Sequence, residues 1–478
     1  MAESATRLTP LDSTFLELEQ ADEGAMMHIG GALIFEPEPG TGVTPSLDAL
    51  TALLEERLAM LPRFHCRLSE KRVHGLQRPA WVEDPSFDVR AHVRHATLPA
   101  PGGEAQLHDW LGDFWSHRLD RARPLWEMTL VDGLADGGWM LATKTHHALV
   151  DGVASVDVGH VLLDAERRPA HTATDTHTAA DTHTAADTGT ITDSSAGGTP
   201  LPGWLSPRIP VRLARATIDT ALHPRRLIRA GEAAVAMSEV LWQDEVIPSR
   251  HSSLNVPIST SRRFASVPFA LAEVKEIKGE LGGTVNDVVL AVSTGALRRL
   301  LDERGEELER PLRAMVPVNL RGEDHDHLGN QVTSLFVELP IGEADILDRY
   351  ERTRAAATQL KSGTAALGGS TIVLVAGAAP PLLHESIAKA LFAARLFNIT
   401  ITNVPGPQIP LYGLGTRLRR ILPLVPLFAE HAVGMAIVSY DGELVFGITA
   451  DRAATPDLDV LATALRDEFA ALLSLARA

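Results

Sequence analysis

Seven consecutive residues, His146-His147-Ala148-Leu149-Val150-Asp151-Gly152, carry the plainest chemical signal in this chain. They set two imidazoles ahead of a carboxylate, directly after the apolar run Trp139-Met140-Leu141-Ala142. Imidazole titrates close to neutrality, so it suits proton abstraction from a hydroxyl, amine or thiol nucleophile. Three uses of the cluster compete. His147 and Asp151, one helical turn apart, could ligate a metal, but Gly152 follows at once and no third ligand stands at a matching spacing. The histidines could be packed, hydrogen-bonded core residues. Or one of them could be a general base, worth about 10²–10⁴-fold in rate.

The elements around the motif narrow its geometry. Trp139 to Thr145 reads as a strand, and neighbouring strand residues point to opposite faces. Only one of His146 and His147 should therefore face a cavity, with the other packing behind it; the pattern does not say which. Gly152 breaks the chain, and Val153 to Leu163 has the spacing of a helix packed behind the motif. No Gly-x-Ser-x-Gly elbow, no Gly-rich loop ending in Gly-Lys-Ser/Thr and no Gly-x-Gly-x-x-Gly is present. The single cysteine, Cys66, excludes a disulfide within the chain, a Cys-based zinc site and a Cys-x-x-Cys pair, and reads as an inert core thiol.

At 478 residues the chain is too long for one ordinary core, so two domains are expected. Further strands are expected at Gly30–Glu36, Arg262–Phe269, Ala314–Leu320 and Val332–Leu339. Helices are expected at Leu47–Met60, Leu107–Arg118, Ala272–Leu281, Asn286–Leu301 and Leu458–Ala476. Asp441-Gly442 between two apolar runs signals a hairpin. Strands and helices mix in both halves, which makes the fold class α/β, with two layered units. The stretch from Ala170 to Pro200 is Thr-, Ala- and Asp-rich, repeats a hexapeptide at Asp175 and Asp181, and reads as a disordered linker. Its histidines His177 and His183 carry no further signal of metal binding.

A formal net charge of −17 argues against non-specific nucleic-acid binding, and an anionic substrate would need a local basic patch. Arg208, Arg212, Arg215, Arg225, Arg226 and Arg229 supply one against the single acid Asp219. This segment is either a helical connection with a solvated basic face or a surface for anionic lipid or a phosphorylated ligand. The most apolar stretch, Ile372–Leu383, falls short of the roughly twenty residues a membrane span needs. Met1 to Thr9 lacks an apolar signal core. A cytoplasmic protein is expected, with surface association with membranes left open.

Several segments then match a known pattern together. The seven residues resemble the His-His-x-x-x-Asp-Gly motif of CoA-dependent acyltransferases and peptide-synthetase condensation domains. Leu11 to Phe15, Met27-His28-Ile29-Gly30, Pro124-Leu125-Trp126, Asn286 to Ala291, Pro317 to Arg321, Gly329-Asn330 and Thr402 to Pro407 extend the likeness along nearly the whole chain. Together they resemble the bacterial wax ester synthase/diacylglycerol acyltransferase family. The resemblance implies two chloramphenicol-acetyltransferase-like domains, here 1–168 and 251–478, with a substrate tunnel between them. The disordered linker 169–203 and a basic helical crossover 204–250 would join them. It implies acyl-CoA as co-substrate with no permanently bound cofactor or metal, and diacylglycerol or a long-chain alcohol as acceptor. It also implies work at a membrane or lipid-droplet surface. By analogy His147 is the general base, beside His146. Asp151 supports the loop, Gly152 keeps the channel open, and Asn286 positions substrate or stabilises developing charge. Trp126, Asp287, Thr402, Asn403, Arg225 and Arg226 are candidate substrate contacts. For Trp126 the competing reading is packing, for the Asn286-Asp287 pair a helix cap, and for Asn403 a shaped turn. Thr402 stands where the family often carries Ser. A condensation-type enzyme with a carrier-bound donor shares the seven residues and is the alternative.

Overall fold

A computed structural model of the chain describes residues 6–37, 44–69, 79–149, 162–167, 249–319, 332–362 and 396–478. Residues 1–171 and 240–478 form one compact unit, described below; 172–239 form a second that lies outside the described residues. The expected linker therefore lies outside them, as do the basic crossover and the helix expected at Val153–Leu163, each apart from its last two residues.

The first six-stranded sheet contains β2 (His28–Phe35), β5 (Val93–Thr97), β6 (Trp126–Asp132), β7 (Trp139–His146), β12 (Tyr412–Gly413) and β13 (Thr416–Leu424), in the order β12-β13-β2-β7-β6-β5. The second contains β8 (Arg262–Ala270), β9 (Leu312–Asn319), β10 (Val332–Leu339), β11 (Ile399–Pro405), β14 (Val433–Tyr440) and β15 (Glu443–Asp451), in the order β10-β9-β11-β14-β15-β8. A small third sheet joins β1 (Thr6–Arg7), β4 (Ala80–Glu83) and β3 (Cys66–Leu68). The sheets do not each belong to one half of the chain. β13, from the last quarter of the sequence, runs antiparallel to β2, with Leu424 opposite Gly30 and Leu422 opposite Ala32. Where the sheets approach, Gly447 of β15 lies so close to β13 that a Cβ there would stand 1.9 Å from the Pro423 carbonyl oxygen.

The helices cover these sheets as alternation requires. On the first sheet, α2 (Leu47–Arg57) packs Leu50 and Leu54 with Leu130, Trp139 and Leu141. The opposite face packs Met140 and Ala142 against Leu111 and Trp115 of α3 (Glu104–Trp115), where Phe264 of β8 also reaches. On the second sheet, α4 (Leu271–Glu280), α5 (Val285–Glu303) and α7 (Leu458–Ala476) bury one apolar layer with Ala314, Val316, Ile399 and Ile401. The remaining helices are α1 (Pro10–Ala21) and α6 (Ile346–Ser362). The expected hairpin is present: Tyr440 pairs with Glu443, and Asp441 and Gly442 both have positive φ, 43° and 85°, as a type I′ turn requires. Among the described residues no helix is long and apolar enough to cross a membrane.

The start of helix α1 is written in the sequence. Thr9 accepts from the Asp12 N–H, and the Asp12 carboxylate accepts from the Thr9 N–H, both at 3.1 Å, with Pro10 at the first helical position. This capping box satisfies two otherwise orphaned donors at the helix start.

Candidate active site

The His-His pair straddles the end of β7. His146 is its last residue and pairs in register with His28 of β2. This register needs Gly30, whose φ is +151° and whose added Cβ would lie 2.1 Å from the Thr143 carbonyl oxygen. His146 is buried on the α3 side of the sheet, at 1% exposure. Its Nδ1 accepts the Ala148 N–H at 3.0 Å, and its carbonyl accepts the Leu149 N–H at 2.9 Å, so His146 holds the turn that follows. A backbone N–H can only donate, so a neutral His146 ring carries its proton on Nε2.

His147 sits on that turn, half-buried, with its N–H donating to the Met27 carbonyl at 2.8 Å. Its ring stacks on Phe15 of α1, centroids 4.0 Å apart and planes 21° from parallel. The strand was expected to carry both histidines on opposite faces; it ends at His146, and His147 stands on the turn beyond it. Phe15 also packs with Met27 and with Met315, Phe397 and Phe428 from the second half of the chain. One aromatic ring therefore ties His147 to both sheets.

Beneath His146 lies a charged cluster that the sequence reading did not assign. Glu19, one turn after Phe15 on α1, is 3% exposed. Its Oε2 is 3.5 Å from His146 Nε2 and its Oε1 is 3.5 Å from His28 Nε2. Arg121 reaches Oε2 through Nε at 3.1 Å and through the outer guanidinium at 2.5 Å. Burial works against the Glu19 charge, but the facing His146 N–H and the Arg121 guanidinium outweigh it and hold the carboxyl well below its usual range. Burial, followed by the nearby Lys144 ammonium, keeps His28 neutral. Lys144 itself is fully buried, 2.6 Å from Glu127 and donating to the His117 carbonyl at 2.9 Å. The i, i+4 spacing of Phe15 and Glu19 behind the capping box was the available signal for this face.

The second half contributes a carboxamide pair. Asn286 is in the first turn of α5, and its Oδ1 accepts from Asn403 Nδ2 of β11 at 3.5 Å. The helix is capped by Thr284 together with Asp287 of the Asn-Asp pair, in a reciprocal capping box. Asp287 Oδ2 accepts from the Thr284 N–H and hydroxyl, both at 2.8 Å, and Thr284 accepts the Asp287 N–H at 3.3 Å. Asp287 thus serves the cap, while Asn286 remains directed toward Asn403. Thr402 alternates with Asn403 on β11 and shares a face with Thr400, whose register partner is Met315 in the Phe15 cluster. Trp126 is 1% exposed, donates from its indole N–H to the Phe64 carbonyl at 2.9 Å and stacks on His92. Its ring is thereby engaged by protein on several sides. Cys66 is half-buried and burial pushes its thiol up. Asp151, Gly152, Arg225 and Arg226 lie outside the described residues. Among the described residues no group of His, Cys, Asp or Glu forms a metal site.

Comparison with known proteins identifies the chain's relatives. The family model of the wax ester synthase/diacylglycerol acyltransferase catalytic domain matches residues 8–289, and that of the C-terminal domain matches 328–473. The chain is 32% identical to a probable diacylglycerol O-acyltransferase, tgs1, of Mycobacterium tuberculosis, over 98% of this chain and 96% of that protein. The solved wax ester synthase/diacylglycerol acyltransferase of Marinobacter aquaeolei VT8 superimposes with a TM-score of 0.68 at 27% identity, covering 99% of this chain and 100% of that one. The first condensation domain of the calcium-dependent antibiotic synthetase, at 15% identity, shares the fold with a TM-score of 0.58 over 98% of this chain and 97% of that one.

Proposed function

Because this chain belongs to the wax ester synthase/diacylglycerol acyltransferase family, we propose that it moves a long-chain fatty acyl group from acyl-CoA to the hydroxyl of diacylglycerol or a long-chain alcohol. The products are triacylglycerol or wax ester. The observation that carries the mechanism is the division between the two histidines. His146 has Nδ1 engaged by the turn and Nε2 turned to a buried carboxylate. Proton transfer therefore falls to His147, which is half-buried on the turn. His147 takes the proton of the acceptor hydroxyl as its oxygen attacks the thioester carbonyl. The tetrahedral intermediate collapses, the C–S bond breaks, and the proton passes to the departing thiolate. No acyl-enzyme forms.

Charge on the intermediate's oxygen calls for donors. Asn403 donating to Asn286 Oδ1 leaves Asn286 Nδ2 as a donor, beside the amide groups of the first turn of α5. Asp151 supports the loop and Gly152 leaves room beside the base. Thr402 and Asn403 line the acceptor side. The two acyltransferase-like domains, 1–168 and 251–478, would enclose the tunnel. The substrates are amphiphilic, which places the enzyme at the cytoplasmic face of a membrane or at lipid droplets, with Arg225 and Arg226 engaging CoA phosphates or anionic lipid. Acyl-CoA is consumed as co-substrate and no cofactor is retained.

The test is product analysis with purified enzyme, palmitoyl-CoA and competing hexadecanol and diacylglycerol, with an acyl-carrier-protein thioester as a second donor. Ester formation from the CoA donor is expected, with His147→Ala reducing it about 10²–10⁴-fold. Near-normal transfer by folded His147→Ala would overturn the assignment of the base. Use of the carrier donor alone would overturn the donor.

A further inference from the structure

Glu19 is a carboxylate in a costly place. It is 3% exposed, yet its surroundings keep it ionised. Its contacts to the two imidazoles are both 3.5 Å, too long for strong hydrogen bonds, and Glu19 Oε1 and His146 Nε2 have no hydrogen-bond partner among the described residues. What acts across this gap is charge. Arg121 fixes the carboxylate, and Arg118 fixes the helix end that carries it, donating to the Glu19, Asp22 and Glu23 carbonyls at 3.1, 2.8 and 2.7 Å.

We propose that Glu19 is a positioning residue: its negative charge keeps the His146 proton on Nε2, so that Nδ1 stays an acceptor and holds the turn that presents His147. The alternative tautomer, with the proton on Nδ1, would set an N–H against the Ala148 N–H and release the turn. An ionised acceptor facing Nε2 disfavours that tautomer, as a carboxylate behind an imidazole commonly does. Arg121 sets the carboxylate's place, and Phe15, on the same face of α1, holds the neighbouring ring. One helix therefore addresses both histidines, one through charge and one through stacking.

The role rests on His147 as the base, but its test does not. Ring-¹⁵N-labelled histidine in the substrate-free wild-type enzyme, with His146 assigned by substitution, reads the tautomer directly. Nε2–H at His146 is expected; Nδ1–H would overturn the proposal. Glu19→Gln keeps size and polarity but removes the charge, whereas Glu19→Asp keeps the charge on a shorter arm. The Gln variant should lose on the order of ten-fold in kcat, with KM for acyl-CoA within about two-fold, and the Asp variant should recover part of that loss. Wild-type kcat in Glu19→Gln, or equal losses in both variants, would show that charge is not what matters. If His147→Ala stays active while the tautomer is as stated, the reading of the base fails and the assignment of Glu19 to His146 stands.

Discussion

Replacing His146 in two ways separates the work of its two ring nitrogens. Ala148 is fully buried, so in His146→Ala its N–H loses Nδ1 and cannot turn to water instead. An orphaned buried N–H costs about 1–3 kcal/mol. His146→Asn keeps an acceptor near the place of Nδ1 but presents nothing to Glu19. The difference between the variants therefore isolates the turn. If that free energy goes into displacing His147, it corresponds to roughly 5- to 150-fold in kcat. Release of CoA thiol, followed with a chromogenic disulfide, measures it; the lone Cys66 adds at most one background thiol per chain. The expected order of activity is wild type, His146→Asn, His146→Ala. Equal kcat for the two variants at matched folded fraction would refute the claim that Nδ1 carries the turn. A His146→Asn enzyme as inactive as His147→Ala would refute the view that the first histidine supports rather than reacts.

Two further outcomes are expected. Trp126→Phe loses the indole bond to the Phe64 carbonyl and should cost about 1–3 kcal/mol of stability without altering acyl chain-length preference; a changed chain-length profile would restore a substrate contact. His431 is buried with the Ala429 and Phe397 carbonyls at its ring nitrogens, 2.7 and 3.1 Å away, and burial outweighs both to push it down to about 4. Its folded pKa lies below the unfolded value of 6.5, so as pH falls through 6.5 the unfolded chain takes up the proton first. Stability should then fall by about 1.4 kcal/mol per pH unit, about 3 kcal/mol by pH 4, from this residue. Urea unfolding at pH 7 and 4.5 should show a smaller difference in His431→Gln, and an unchanged difference would remove His431 from the acid response.

Much of this site was legible in one dimension because it depends on short-range rules. The apolar run before the seven residues fixed a strand, which ends at His146 and leaves His147 on the turn beyond it. Asp441-Gly442 dictated a turn with two positive φ angles, and the hairpin followed. The Asn-Asp pair announced a helix start, although Thr284 took the cap position because its shorter hydroxyl reaches the Asp287 N–H. Helix α1 was missed as an element, although its capping box and the helical spacing of Leu11, Phe15 and Leu18 were present in the sequence.

The sequence by itself determined which residues could move a proton, that they stand at the end of a strand, and the layered class of the fold. Tertiary structure alone decided that His146 would be held in the turn and would face a buried carboxylate. There Glu19 of α1 faces Nε2 of His146, and Arg121 from the loop before β6 and His28 of β2 meet the same carboxylate. Tertiary structure likewise placed β13 in the first sheet and Asn403 against Asn286. Periodicity reports the face a residue takes within its own element. The partner across that face is set by how elements pack, and a buried charge is tolerated only where those partners meet.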